Sequence, residues 1–439
     1  MDTPSAAKAR RIFYTLTLTR WFPVGLVVGI LVLLATTRGL TTAQALTCLA
    51  VAGFVCAALE LPTSGFADAF GRRPVYLVAA VVNVGAALAF ATAHSFVAFM
   101  VAAALTGVFR ALDSGPLEAW FVDAVHEEEP GKDVDQELAR AGTLLGVGMA
   151  AGAVISGALI WWHPVTSQPP LDLVVWCFAA LNLVHLVATA RLLTKTPGHT
   201  PSSSPRNTPS STPSSTPWIA ALASVRRTPA VITQGLALVR SNRVLAGVLL
   251  AEMCWSVGMV AVESIMPLRL EELVGTAQRA GALMGPASAA GWGVFSLGTW
   301  LAGRASARFG VARAAALGRG LNALGVVLMA ISLGPVSLLA AYLFTYSTHG
   351  LNSPPHAALL HREARAGNRS TVLSLNSMVA FLAAGTASPL AGALAERTSL
   401  ALAMLAVGVL SMFGTLAYLP ARRAERRTAS PRSRVAQCS

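Results

Sequence analysis

Long apolar stretches alternate with short polar ones along the whole chain. Twelve stretches reach the about 20 residues a helix needs to cross ~30 Å of hydrocarbon. They run over 12–36, 42–63, 74–93, 96–122, 138–161 and 171–193, then over 243–266, 280–302, 315–333, 335–360, 371–395 and 399–420. The pattern predicts an all-α membrane protein of twelve transmembrane helices in two pseudo-symmetric six-helix bundles. It divides the chain into a tail (1–11), an N-terminal bundle (12–193), a linker (194–242), a C-terminal bundle (243–420) and a basic tail (421–439). Within the linker, 197–217 is Ser/Thr/Pro-rich and buries too little apolar area to offset its ordering entropy, so it is predicted to be a disordered tether. From Trp218 to Arg240, apolar residues flank Arg226 and Arg227, which predicts an amphipathic helix lying at the membrane surface.

Composition agrees with this class: 54% hydrophobic residues, 12% charged residues and a mean hydropathy of +0.60 leave too little polar surface for a soluble chain of 439 residues. A net charge of +13 would suit nucleic acid in a soluble protein, so the placement of the charges decides. All but six of the 33 basic residues fall on one side of the twelve spans, counting Arg304, Arg308, Arg313 and Arg319 with the loop between spans eight and nine. The exceptions are Arg38, Arg269, Arg279 and Arg397 on the other side, and Arg20 and Arg110 within spans. The positive-inside rule then places both termini in the cytoplasm of a multi-pass cell-membrane protein and removes the case for nucleic acid. Cys48, Cys56, Cys177 and Cys254 lie in spans and Cys438 in the tail, none at metal-ligand spacing, so neither a metal nor a cofactor is expected. The start, MDTPSAAKARR, leads into a run too long for a cleaved signal, so the first helix is expected to stay. The chain carries no Walker loop, no Gly-x-Ser-x-Gly elbow and no His-Glu-x-x-His, so an enzyme is not expected, and energy for any vectorial work must come from an ion or solute gradient.

A charged elbow, LELPTSGFADAFGRRPVY, separates the second and third spans, and a looser copy, GRASARFGVAR, recurs between the eighth and ninth. The first resembles the cytoplasmic turn of the major facilitator superfamily, Gly-x-x-x-Asp-(Arg/Lys)-x-Gly-Arg-(Arg/Lys), through Asp68, Gly71, Arg72 and Arg73. It departs from that pattern at Ser64, with Gly65 one place late, and at Ala69. The second copy keeps Gly303, Arg308 and Gly310 but has Ala307 where an aspartate would stand. In the fifth span, GMAAGAVISG, with Gly148, Gly152 and Gly157, is similar to the Gly-x-x-x-Gly-Pro-x-x-Gly-Gly motif of drug/proton antiporters in that superfamily, with Ala153 and Ser156 as departures; ordinary small-residue packing is the other reading. The resemblance implies two bundles rocking about a central cavity, with a charge network of Asp68, Arg72, Arg73, Glu118 and Asp123 closing the inner face. It also places Asp68 near the start of the eleventh helix at Ser370 and Thr371.

Ionisable residues inside a membrane cost at least ~2.5 kcal/mol each and so face partners or cavities. Arg110 and Asp113, three apart, share a helical face within reach of each other, as a coupling site or as a structural ion pair. Arg110 also resembles the arginine of the fourth-helix signature of proton-coupled members, with Asp113 where glutamine is usual. Glu252 stands about nine residues into the seventh helix with no basic residue in its own helix before Arg269; burial there disfavours the ionised form, as a proton carrier requires, and a hydrogen-bonded structural carboxyl is the alternative. Arg20 and Glu60 form either a bridge locking the first two helices or part of a cavity lining. Glu263 reads as a solvated rim residue or a gate. His185, His349 and His356, with Asn83, Asn182, Asn322 and Asn376, suit hydrogen bonds between helices. Pro354 and Pro355 predict a kink or break in the tenth helix, and Trp21, Trp120, Trp161 and Trp162 suit interfacial anchoring. The resemblance points to a monomeric secondary transporter in the bilayer, exchanging protons for an amphipathic small molecule. Nutrient uptake by symport and a non-transporting sensor or scaffold are the other readings.

Overall fold

Among residues 5–63, 66–194, 217–364 and 368–428, which the computed structural model describes, helices joined by short connections account for the backbone. Ser64, Gly65, all of the proposed tether except Pro217, and Cys438 lie outside the described residues, as do the side chains of Asp68 and Ser370. The N-terminal half comprises α1 (Ala6–Val27), α2 (Ile30–Thr37), α3 (Thr42–Thr63), α4 (Phe66–Phe70), α5 (Arg72–Thr92), α6 (Phe96–Asp113), α7 (Pro116–Glu128), α8 (Asp135–Trp162) and α9 (Pro170–Leu192). A connecting helix, α10 (Pro217–Ser241), leads to α11 (Arg243–Val260), which continues through a π-helical turn (Ala261–Ile265) into α12 (Met266–Val274). Then follow α13 (Ala277–Phe309), α14 (Val311–Ala330), α15 (Pro335–Glu363), α16 (Arg369–Arg397), α17 (Leu400–Leu416) and α18 (Leu419–Thr428).

These elements fill the twelve span positions in order. Among the described residues, nine helical runs are long and apolar enough to cross a membrane, and ten if α1 and α2, bent by 42°, form one span. The longer α13 and α15 are less apolar. The bend falls at Gly29, whose left-handed φ of +73° favours glycine and whose bare Cα faces Met284 and Pro267. Val78, Val81, Val101, Leu183 and Val184 are exposed, as side chains facing lipid require.

The internal repeat is reproduced in backbone detail. Gly71 (φ 88°, ψ 153°) caps α5 and Gly310 (φ 86°, ψ 153°) caps α14 with the same conformation. The aspartate missing from the second copy has a distant substitute: Glu425 of α18 accepts a hydrogen bond from Ala312 N at 3.1 Å, at the positive end of α14, and pairs with Arg362 at 2.8 Å.

The hydrophobic core forks. At the end opposite the termini, one continuous cluster runs through both halves, from Leu33, Leu46, Phe99 and Val174 to Ile265, Met284, Val326 and Met404. At the terminal end it divides into one cluster in the N-terminal half, around Phe13, Tyr76, Trp120 and Phe121, and another in the C-terminal half, around Leu245, Ala315, Leu359 and Tyr418. The joined end is also pinned by polar contacts between the halves: Ala43 N donates to Glu396 Oε1 at 2.8 Å and Gln278 Nε2 to the Ile160 carbonyl at 3.3 Å.

Three expectations change. Pro354 and Pro355 lie inside a continuous α15, so the helix does not break at them. Trp120 is fully buried and donates its indole N–H to the Thr194 carbonyl at 3.1 Å, so it is a core residue and not an interfacial anchor. Arg319 belongs to no loop: α14 begins at Val311, which puts Arg319 eight residues, or about 12 Å, along the helix.

Candidate functional site

Each half holds one buried charge cluster. In the C-terminal half, Glu252 on α11 is 8% exposed and Arg319 on α14 is 3% exposed. Their side chains meet at 2.5 Å. Arg319 also donates to Tyr418 OH at 3.3 Å and lies over the Trp255 ring at 4.7 Å. His356 completes the group, its Nδ1 2.7 Å from Tyr418 OH and its Nε2 3.2 Å from Glu252 and 3.3 Å from Asn376 Oδ1. A proton on Nε2 satisfies both of those acceptors while Nδ1 accepts from the tyrosine. The basic partner of Glu252 thus comes from another helix, the arrangement described by the reading of a hydrogen-bonded structural carboxyl.

In the N-terminal half, Arg20 pairs with Asp113 at 3.0 Å and stacks on Trp21 and Phe109, with ring distances of 4.8 and 4.3 Å. Asp113 thus reaches across to α1, and the same-helix partner Arg110 is not the one it takes. Glu60 is not the partner of Arg20 either. His185 joins Thr19 at 2.9 Å to Tyr76 at 3.3 Å, and Asn83 donates to Asn182 at 2.6 Å. In the elbow, Arg72 meets Asp123 at 2.5 Å, while Arg73 donates to the Leu193 and Ala190 carbonyls at the C-terminus of α9, where a cation suits the helix dipole. Glu118 forms no ion pair among the described residues.

Arg110, on α6, belongs to neither cluster and is exposed. Its guanidinium stacks on Phe381 of α16, in the opposite half, at 4.8 Å. Its charge acts through space on Glu60 of the N-terminal half and on Glu263 of the C-terminal half. Glu263 sits on the π-helical turn, a local geometry frequent at functional sites, and keeps solvent-accessible surface. The sequence reading places Glu263 at a rim and does not foresee its approach to Arg110, because a π turn leaves no mark in hydropathy.

An aromatic wall continues from there. His349 lies 4.9 Å from Trp255, 5.0 Å from Phe295 and 6.3 Å from Tyr346, ring centre to ring centre. Trp255 Nε1 and His349 Nδ1 are both buried without a hydrogen-bond partner. The wall therefore offers stacking faces and two unused polar atoms.

The fifth-span glycines divide their work. A side chain on Gly148 would meet Leu18 and one on Gly152 the Phe22 carbonyl, both on α1 of the same half. One on Gly157 would meet the Ala282 carbonyl and Gly285 of α13, in the other half. In the second elbow Gly303 faces open space, and Arg308 lies over Phe309 at 5.5 Å.

The family model described as Major Facilitator Superfamily matches residues 13–384 and 287–437. No curated protein matches the sequence. Solved structures share the fold: the nucleoside transporter NupG superposes with a TM-score of 0.72 at 11% identity, covering 94% of this chain and 98% of that one. The peptide transporter POT in complex with sulfate gives 0.72 at 15% identity, covering 95% of each chain. The human organic anion transporter MFSD10 (TETRAN) gives 0.59 at 14% identity, covering 94% and 99%.

Proposed function

The chain belongs to the Major Facilitator Superfamily, and we propose that it exports an amphipathic aromatic cation in exchange for protons, by alternating access across the cytoplasmic membrane with both termini inside. The observation that carries this reading is Arg110, whose guanidinium reaches Phe381 of the opposite half at 4.8 Å, with Glu60 of one half and Glu263 of the other within range of its charge. A cationic substrate and a proton compete for the same carboxylates, so the arrival of one expels the other. That competition is the thermodynamic core of exchange. The aromatic wall of Trp255, Phe295, Tyr346 and His349 supports an aromatic ligand, since each offset ring pair contributes ~0.5–1.5 kcal/mol beyond area burial.

In this reading the forked core is the inward-open end state, with the far end sealed. Asp68, Gly71, Arg72 and Arg73 with Asp123 bias closure of the inner face, and Glu118 draws cations into the cleft. The pairs Arg20–Asp113 and Glu252–Arg319 keep each bundle rigid during the rocking. Symport of an anionic nutrient is the reading Arg110 alone would favour, but Glu60, Glu118 and Glu263 outnumber it.

Proteoliposomes holding the protein under an imposed pH gradient test the proposal. Cationic aromatic amphiphiles are expected to dissipate the gradient with wild type and to lose that effect with Glu263→Gln or Glu60→Gln, while Asp123→Asn slows it without abolishing it. Dissipation by anionic metabolites alone, with both carboxylate variants unaffected, would overturn export of cations.

A further inference from the structure

Two apolar grooves mark the lipid-facing surface of the C-terminal half, and they differ in one respect. The groove near the far end, of about 580 Å³, is lined by Leu328, Ile331, Leu333 and Phe344 with two serines and carries no charge. The groove at the terminal end, of about 430 Å³, has a floor of Leu317, Gly320 and Leu321 on α14 and a mouth bearing Arg313 of α14 and Arg422 of α18. Arg313 and Arg422 make no ion pair among the described residues, whereas Arg10, Arg20, Arg38, Arg72, Arg319 and Arg362 each hold an acid. Arg422 Nε is moreover buried without any hydrogen-bond acceptor. Arg10, Arg38 and Arg269 also bury an unpartnered Nε, but each holds an acid on its terminal nitrogens; Arg422 holds none among the described residues, so its charge is left for an acceptor supplied from outside the chain. Just beyond, Arg423, Arg426 and Arg427 are exposed on α18.

We propose that this groove is a binding site for an anionic phospholipid, with the phosphate held between Arg313 and Arg422 and an acyl chain along Leu317, Gly320 and Leu321. Charge complementarity selects the headgroup. The apolar floor, continuous with the lipid-facing surface, selects a lipid over a free phosphate. The site lies on α14 and α18, the same two helices that Glu425 ties together through Ala312 N, so an occupied groove fastens the C-terminal helix to its bundle.

Native mass spectrometry of the purified full chain, offered phosphatidylglycerol, phosphatidylcholine or inorganic phosphate, tests this. Phosphatidylglycerol is expected to be retained over phosphatidylcholine and to resist a large excess of phosphate. Arg313→Gln with Arg422→Gln is expected to bind it roughly thirty-fold less tightly, at ~1 kcal/mol per arginine. Gly320→Leu, which fills the floor and keeps both charges, is expected to weaken lipid retention as well. Phosphatidylglycerol is also expected to raise the melting temperature of wild type and not of the double arginine variant, a comparison made within each protein so that a less stable variant remains readable. Equal loss on Arg423→Gln with Arg426→Gln would overturn the site in favour of diffuse surface charge. Displacement by phosphate, or indifference to Gly320→Leu, would overturn the lipid in favour of a headgroup-sized anion.

Discussion

Arg319 and Glu252 hold each other in a place where neither survives alone. Two charges this deep recover their desolvation only through each other and through Tyr418 and His356, so removing one leaves the other uncompensated, at a cost of ~3–5 kcal/mol. Arg319→Gln is therefore expected to lower the melting temperature sharply, whereas Arg319→Met combined with Glu252→Gln recovers most of the loss. A double variant as unstable as the single one would show that packing, and not charge pairing, holds this cluster. Glu252 is legible in the sequence because an acid in an apolar run stands out. Its partner is not, because Arg319 lies near the start of an apolar run and reads as the edge of a basic loop. The pairing of Asp113 with Arg20 is hidden for a similar reason. Three-residue spacing offers Arg110 as a candidate, and only the packing of α1 on the N-terminal half brings a better one.

At the level of helices, length and apolarity suffice to find the spans, because lipid demands about 20 apolar residues whatever the packing. The breaks follow subtler causes. Gly29 bends the first span at a left-handed residue, and the π turn at Ala261–Ile265 inserts its irregularity into an otherwise apolar run. The glycines of α8 read as one motif but act on two neighbours, and this separates two outcomes. A Cβ at Gly152 would sit 2.2 Å from the Phe22 carbonyl within one bundle, so Gly152→Val is expected to cost stability, ~1–3 kcal/mol by overpacking. A Cβ at Gly157 would sit 2.7 Å from the Ala282 carbonyl across the halves, and that clash is relieved by parting them. Gly157→Val is expected to melt near wild type but to expose the far end, read as faster thiol labelling of a cysteine placed at Gln278. Melting as low as that of Gly152→Val would place Gly157 in the stability of the fold instead.

For the whole molecule, the forked core means that one end of the cleft is sealed by apolar burial and the other is free to close. Rocking transfers that burial from one end to the other, so the energy difference between the states is small and a ligand with modest differential affinity moves the population. The helices α8 and α13 cross this boundary and supply a direct ruler. Side chains added at Gly146 and Gly303, on the terminal-end halves of these helices, meet nothing within 4 Å, so spin labels fit there without disturbing the fold. Trp162 and Arg279 mark the same two helices at the far end, both exposed. With the native cysteines replaced, the 146–303 distance is expected to shorten and the 162–279 distance to lengthen together when pH or a cationic aromatic compound shifts the population. The two changes must be reciprocal, because rigid bundles joined at one end close there only by opening at the other. A change in the terminal-end distance with a fixed far end would mean that the inner helices bend locally. The two halves would then not rock as bodies, and the proposed exchange of protons for substrate at Arg110, Glu60 and Glu263 would need another route to the far side.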